Sequence, residues 1–351
     1  MNESFGKPLV LVTAVGVPPG LNVLRSLKES GCCELIAADA DPRSPGLYQY
    51  SSKHVVLPMA SDTDAYLQAL LRLVRIDGVL IIIPCLEEEV EVIARHQDEL
   101  RAAGACLLLP DFGVMRAVTD KGMITRVAVE NGIDCPRSIV LAKGVTRDEH
   151  AAALDEFSAA CPLPWIVKPV WGHGMRNVTH ATTLDQAFAA AADAATEWIV
   201  QEFIPGAVGS MFLAGLLYDA GGRVVRRFSS RSIRTLYPSG GPATAGISVD
   251  WPEMIEATER LVAHVGTWRG PLNAEWMLDP RDRKLKFIEI NPRMWGYGYL
   301  ATASGLNFPE AIVMLSQGQD IGPDPGFRVN VTMLRSTVDL VFPASPYELE
   351  N

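Results

Sequence analysis

Three polar side chains interrupt an otherwise apolar stretch, FIEINPRMWG, at Glu289, Asn291 and Arg293. In a strand, residues i, i+2 and i+4 share one face. A carboxylate, an amide and a guanidinium would therefore stand together on a side that a core-facing strand should keep apolar, and such groups are costly to bury without partners. Upstream, GPLNAEWMLDPRDRKLKFIEINPR reads as two strands about a turn near residue 282, which sets Glu275 opposite Glu289. Facing carboxylates repel unless a cation bridges them. The oxygen-rich set Glu275, Glu289 and Asn291 suits Mg²⁺, with phosphates and waters completing the octahedron, and Arg293 is placed to grip a phosphate or carboxylate bidentately. The alternative is a solvent-exposed strand face with casual charges.

A second constellation is IVKPVWGHGMRNV, where Lys168 ends an apolar strand before Gly172 and Gly174. A lysine there can reach nucleotide phosphates while glycine amides close over them. No G-K-[ST] follows, so this is not a Walker A loop; the alternative is a snorkelling lysine beside an ordinary hairpin. Lys121, in TDKGM, read alone is a solvated helix residue. Near the N-terminus, TAVGVPPGLNVLRSL follows a strand and opens a helix, so its amides could cradle an anion. Gly16 and Gly20 do not complete G-x-G-x-x-G, although Asp39 lies where a ribose-binding acid would stand. A tight strand-to-helix turn explains the same residues.

The elements that must carry these groups are visible as patterns. PLVLVTA, ELIAADAD, GVLIIIP and ACLLLP alternate with helical stretches through residue 113, which implies a parallel sheet with helices on both faces. From about residue 114 the texture changes. A short helix ends at Gly132, PWIVKPVWGHGMRNV (164–178) reads as a strand, a glycine loop and another strand, EWIVQEFIPG (197–206) as a strand entering a Pro-Gly turn, and a helix is expected in DQAFAAAADAAT. The remainder is strand-rich (211–218, 223–229, 272–278, 285–290), with helices near 252–266 and 308–317.

Bulk properties narrow the class. The 351 residues are 48% hydrophobic with a formal net charge of −10. That length buries a sizeable core in two or three domains, and the charge argues against nucleic acid or an anionic membrane as partner. No apolar run is long enough for a membrane span, and the N-terminus reads as a first strand rather than a signal peptide. The six cysteines form no C-x-x-C pair, which fits reduced thiols in a cytoplasmic protein.

Taken together, the two lysines, the glycine loop, QEFIPG and EINPR resemble the ATP-grasp superfamily, and more closely its carbamoyl-phosphate synthase and biotin carboxylase-like branch, over nearly the whole chain. The resemblance implies an α/β and α+β architecture. Residues 1–113 would form a Rossmann-like pre-ATP-grasp domain, 114–202 a small lid subdomain, and 203–351 a C-terminal subdomain with the metal site. It implies ATP and two Mg²⁺ ions, with Mn²⁺ able to substitute. Lys121, Lys168, Gly172 and Gly174 would hold phosphates; Glu202, Phe203 and Ile204 the adenine edge; Glu275, Glu289 and Asn291 the metal. Arg293, Lys168 and Arg234 would be the catalytic cations. Arg231, Ser239, Gly240 and Gly241, in or beside YPSGGPATAG, and Glu87 and Glu89, after IIIP, would lie on the substrate side; for the two acids a helix N-terminus is an equal alternative. EFIPGAVGS departs from the family by offering Val208 and Gly209 where a ribose-binding glutamate is usual.

The reaction so implied joins a small carboxylate to an amine through an acyl phosphate, on amino acids or a natural-product precursor. An ATP-dependent carboxylase shares the first half. His173 stands in the glycine loop as a candidate proton acceptor. Two other classes stay open: an NAD(P)-dependent oxidoreductase using Gly16, Gly20 and Asp39, and a non-catalytic nucleotide-binding protein. A homodimer is the default assembly.

Overall fold

The structure is a computed structural model; it describes residues 6–172, 177–206, 209–237, 240–343 and 345–346. Three of the apolar runs become β1 (Leu9–Val12), β2 (Glu34–Asp39) and β4 (Ile81–Ile83), and an edge strand not expected from the sequence, β3 (Lys53–Val56), completes a four-stranded parallel sheet in the order β3-β2-β1-β4. Helices α1 (Pro18–Ser30), α2 (Thr63–Arg75), α3 (Glu87–Arg95) and α4 (Gln97–Ala102) cover it. Their ends follow local rules. Asp62 accepts from the Ala65 amide to start α2, and Gly31, at φ +64°, stops α1. On α2, Tyr66, Leu67, Leu70, Leu71 and Val74 recur at helical spacing and are buried.

The expected strand at 105–110 survives only as one parallel bridge, Ile81 to Cys106. Beyond it the chain turns off toward the large sheet, where the Leu108 carbonyl abuts Gly270. The single helix expected between the third and fourth apolar runs is two, broken at His96. Helices α5 (Phe112–Thr119) and α6 (Lys121–Glu130) come next.

A small antiparallel sheet, ordered β5-β8-β6-β7, follows from β5 (Ser138–Leu141), β6 (Trp165–Pro169), β7 (Thr179–Ala181) and β8 (Trp198–Glu202), with α7 (Arg147–Ala160) and α8 (Leu184–Ala190). Helix α8 ends sooner than DQAFAAAADAAT suggests, because Asp193 collects the Ala195 amide and the Thr196 hydroxyl into a turn. The large sheet is antiparallel throughout, ordered β13-β12-β9-β10-β11-β14. Its strands are β9 (Met211–Tyr218), β10 (Val224–Tyr237), β11 (Gly240–Ser248), β12 (Gly270–Leu278), β13 (Leu285–Asn291) and β14 (Thr332–Leu334), with α9 (Pro252–Val265), α10 (Tyr299–Ala303) and α11 (Phe308–Ser316). Strand β10 runs well past the expected 223–229.

Three apolar clusters hold this together. One joins Leu11, Ile82 and Ile93 of the first unit to Met115, Ile124, Trp276, Phe287 and Ile290. A second joins Val12 and Leu24 to Phe228, Trp295 and Phe308. The third, built on Phe157, Trp165, Val167 and Trp198, belongs to the small sheet alone. Helices α5 and α6 thus pack in the first cluster with the large sheet, and α5 spans the expected boundary at 113/114.

A Cβ on Gly270, whose φ is +82°, would lie 2.0 Å from the Leu108 carbonyl oxygen. Gly270→Ala is expected to destabilise the chain by about 1–3 kcal/mol, the cost of overpacking; a urea midpoint equal to wild type would contradict this seating.

Candidate active site

The hairpin β12–β13 pairs as its spacing suggests. Glu275 lies opposite Glu289 and Asn273 opposite Asn291, with a bulge that lets Trp276 pair with Phe287. The bulge places Phe287, rather than Ile288, in the core, where Phe287 is buried with Ala274, Trp276 and Ile290. The other face carries Asn273, Glu275, Glu289 and Asn291. Arg293 follows two residues after β13 ends. It reaches back to the same place by its own bonds: Nη2 donates to Asn291 Oδ1 at 3.3 Å and to Glu87 Oε1 at 2.8 Å, and Nη1 to the Met294 carbonyl. Its Nε is buried without a partner among the described residues.

Both lysines arrive from other elements. Lys168, on β6, is buried and its Nζ lies 3.7 Å from Glu289 Oε2. Burial lowers its pKa, opposed by the Glu289 charge. Lys121 opens α6 beneath the Asp120 cap, and its Nζ donates to the Gly172 carbonyl at 2.5 Å. Burial, and then repulsion from Glu289, push the Glu275 carboxyl up to about 7. A cleft of about 260 Å³ opens between these elements, lined by Glu87, Lys121, Trp171, Gly172, Glu289 and Asn291.

This donor set fits a hard divalent cation. Two carboxylates face each other, and the Lys168 ammonium pairs directly with one of them, Glu289. No group of three or more His, Cys, Asp or Glu side chains at metal-binding spacing occurs among the described residues, so an ion here needs oxygens from elsewhere, as Mg²⁺ carried by phosphate has. Asn291 is turned otherwise than the sequence suggests. Its Nδ2 donates to Asn273 Oδ1 and Glu275 Oε1, at 3.2 and 3.4 Å, while its oxygen accepts from Arg293.

Other expected site residues fall differently. Glu89 does not face the cleft: it is buried, accepting from Thr13 Oγ1 at 2.5 Å and the Leu86 amide at 3.2 Å. Glu202 ends β8, but its carboxylate pairs with Arg281 at 2.7 Å and accepts from the Arg137 amide. The Phe203 amide donates to the Pro164 carbonyl, and its ring packs on His180; Ile204 is buried beside it. Arg231 lies on the opposite face from Glu275. It pairs with Phe212, which pairs with Trp276, whereas Ser230, Leu213, Glu275 and Glu289 form the neighbouring row. Its guanidinium sits over Phe212 and donates to the Gly209 carbonyl. Arg234 is exposed and bonds Thr244; strand spacings put it on the order of 15 Å from Glu275. Gly240 pairs with Tyr237 at the start of β11, and Gly241 follows at φ +92°. His173, Gly174 and Ser239 lie outside the described residues.

The N-terminal turn is closed to phosphate. The Gly16 amide donates to Asp39 Oδ2 at 2.7 Å, while Asp39 Oδ1 takes the Ser44 hydroxyl and the Asp41 amide. Val17 bonds Ala14, and Pro18 and Pro19 have no amide hydrogen to offer. The dinucleotide reading loses both its anion cradle and its ribose acid.

Two contributors had no assigned role in the sequence. Asn273, two residues before Glu275 on the same face, donates to the Arg293 carbonyl at 2.9 Å; that spacing was its signal. Arg116 stacks over Trp171 with Cζ 3.4 Å from the ring centroid, at the root of the glycine loop; no sequence pattern marks that pair.

With this geometry in place, comparison with known proteins is decisive. Residues 118–297 match the ATP-grasp domain family model. The chain belongs to the ATP-grasp family. A D-aspartate ligase of Enterococcus faecium is 23% identical over 330 residues, covering 87% of this chain and 75% of the relative. Among solved structures, the biotin carboxylase domain of the Hydrogenobacter thermophilus 2-oxoglutarate carboxylase, in complex with MgADP, superposes with TM-score 0.71 at 14% identity, over 93% of this chain and 73% of that one. An L-amino acid ligase from Bacillus licheniformis gives 0.65 at 17% identity, over 89% and 74%. The fold is thus the mixed α/β ATP-grasp fold, and no helix among the described residues is long and apolar enough to cross a membrane.

Burial raises Glu89 from 4.5 to about 7, against the hydrogen bonds from Thr13 and the backbone. Because the folded state holds this proton more tightly than the unfolded chain, Glu89 favours folding fully below about pH 4.5, and that contribution is lost as pH rises through about 7. Stability measured by denaturant between pH 4.5 and 8 should decline less steeply in Glu89→Gln; parallel profiles would refute the assignment.

Proposed function

We propose that the protein is an ATP-dependent ligase that joins a small-molecule carboxylic acid to an amine, releasing ADP and phosphate. The observation that carries this reading is a cleft lined by Lys121, Glu87 and Glu289, with Glu275 paired opposite Glu289, Lys168 3.7 Å from Glu289 and Arg293 bonded to Glu87 at its edge, in a chain of the ATP-grasp family. The ligase relatives support an amino acid as one substrate.

In this reading a substrate carboxylate oxygen attacks the γ-phosphorus of ATP and the β,γ-bridging P–O bond breaks, giving an acyl phosphate and ADP. The amine nitrogen then attacks the acyl carbon, the C–O bond to phosphate breaks, and the nitrogen gives up a proton. Protein groups do this by placement and charge more than by covalent chemistry. Lys121 and Lys168 neutralise phosphate oxygens, with Gly172 beside Lys121 and Gly174 assigned to the phosphates from the sequence alone. Arg293, held from one side by Glu87 and Asn291, presents its guanidinium to the transferred phosphoryl and acyl-phosphate oxygens. Mg²⁺, on Glu275 and Glu289 with Asn291 beside them, supplies charge neutralisation of the triphosphate when bound; two ions, and substitution by Mn²⁺, are part of the proposal. The backbone of Phe203 and Ile204 borders the adenine, with Glu202 fixed by Arg281 behind it. Arg231, on the opposite face of the sheet, and Arg234, bonded to Thr244 far along β10, take no part in this reading; Ser239, Gly240 and Gly241 are assigned to the substrate side from the sequence alone.

We place the division between the N-terminal unit and the rest before α5, and regard 138–202 as the lid. The cysteines, free among the described residues, accord with a cytoplasmic setting, and a homodimer is the assembly to test by light scattering. The deciding assay is ADP and phosphate release from Mg·ATP against pools of amino acids and small acids, with NAD(P)H absorbance followed in parallel. Release only with an acid and amine together supports the ligase; release with bicarbonate alone supports the carboxylase alternative; an absorbance change with no release supports an oxidoreductase.

Glu289→Gln should reduce turnover by on the order of 10²-fold or more, the scale of losing a preorganised electrostatic group; near-full activity with ordinary Mg²⁺ dependence rules out its metal role. Lys168→Ala should weaken ATP binding and turnover together, and unchanged values for both would return Lys168 to a purely structural part.

A further inference from the structure

Of the three acids of α3 that line the cleft, Glu87, Glu88 and Glu91, Glu87 is the first residue of α3 and lies 2.8 Å from Arg293 across 206 positions of chain. What fixes the start of α3 is Glu89. Its Oε2 accepts from Thr13 Oγ1, just past β1, and from the Leu86 amide, the N-cap of α3. The Thr13 hydroxyl oxygen in turn accepts from the Cys85 amide, just past β4, at 3.3 Å. Thr13 and Cys85 are fully buried and Glu89 nearly so. One carboxylate and one hydroxyl therefore tie together two strand ends and the first turn of the helix that presents Glu87.

Arg293 has a competing destination. Its charge lies close enough to Glu275 to stabilise that carboxylate, and its Nε lacks a partner among the described residues. Glu87 and Asn291 hold the guanidinium by the same nitrogen, Nη2. Released by Glu87, Arg293 can swing onto Glu275 and occupy a carboxylate that the proposed cation needs.

We propose that Thr13 and Glu89 are positioning residues: their buried clamp sets Glu87 on Arg293 and so keeps Glu275 available to Mg²⁺. The kinetic part rests on the ligase reading; the structural part does not. Thr13→Val removes the hydroxyl with little change in shape, and Thr13→Ser restores it. In Thr13→Val we expect kcat to fall about tenfold, the Mg²⁺ concentration for half-maximal rate to rise at least about fivefold, and the ATP KM to stay within about twofold, the loss being about 1.4 kcal/mol in activation free energy. Thr13→Ser should behave as wild type. In a Glu87→Gln background Thr13→Val should have no further effect. The activity-independent readout is a crystal structure of Thr13→Val, in which the Glu87–Arg293 contact should be broken. Glu89→Gln carries the same readouts should Thr13→Val not fold. An intact contact in the variant structure, or a kcat loss that persists in the Glu87→Gln background, overturns the proposal. Absence of turnover in wild type would remove the ligase reading while the crystallographic result still decides the clamp.

Discussion

Two carboxylates set opposite each other in an antiparallel ladder are the constraint on which this architecture depends. Glu275 and Glu289 cannot both be ionised in a recessed site without a cation, and the protein supplies only partial compensation, the Lys168 ammonium 3.7 Å from Glu289 and the Arg293 guanidinium, already bonded to Glu87, near Glu275. The remaining compensation has to be brought in with the ligand. That deficit explains why the site is assembled from distant elements: a lysine from the small sheet, a second from the start of α6, and an arginine beyond β13. Each places charge where a triphosphate and its metal would balance it.

The same logic separates what is structural from what is chemical elsewhere. Asp39 and Gly16 satisfy each other and leave nothing for a cofactor. Arg226 likewise spends its guanidinium on the carbonyls of Val225, Ile321, Gly322 and Pro323. Arg293, by contrast, retains an unpartnered nitrogen beside acids. A buried polar group without a partner costs about 1–3 kcal/mol, and here that cost is carried by a guanidinium bonded to Glu87 and Asn291, both of which line the cleft.

Much of this was legible in the sequence. The hairpin register followed from fourteen positions between two glutamates and a turn between them. The parallel sheet followed from three of four apolar runs; the last, 105–110, keeps a single bridge and passes close to Gly270, while the edge strand Lys53–Val56, mostly exposed and short, carried no such run. What could not be read depended on groups distant along the chain. Glu87 and Glu89 look alike in EEEVEV, yet one rotates toward Arg293 and the other inward to Thr13. Arg231 carries no mark in its own strand of the face it takes; pairing with Phe212 decides that. The Asn291 amide was expected to offer oxygen and instead offers nitrogen to Glu275, because Arg293 claims the oxygen. Strand α/β periodicity assigns faces, but the direction of a side chain within a polar network is settled only by its neighbours.

The small sheet keeps its apolar interior to itself, whereas the first unit and the large sheet share two clusters. Were the small sheet to turn as one flap, it would strip no tryptophan or leucine from a common interior, and polar tethers such as Lys121 to Gly172 would be what it breaks. Heat should divide the molecule the same way: the flap is free to melt as its own calorimetric unit, while the other two parts must surrender together.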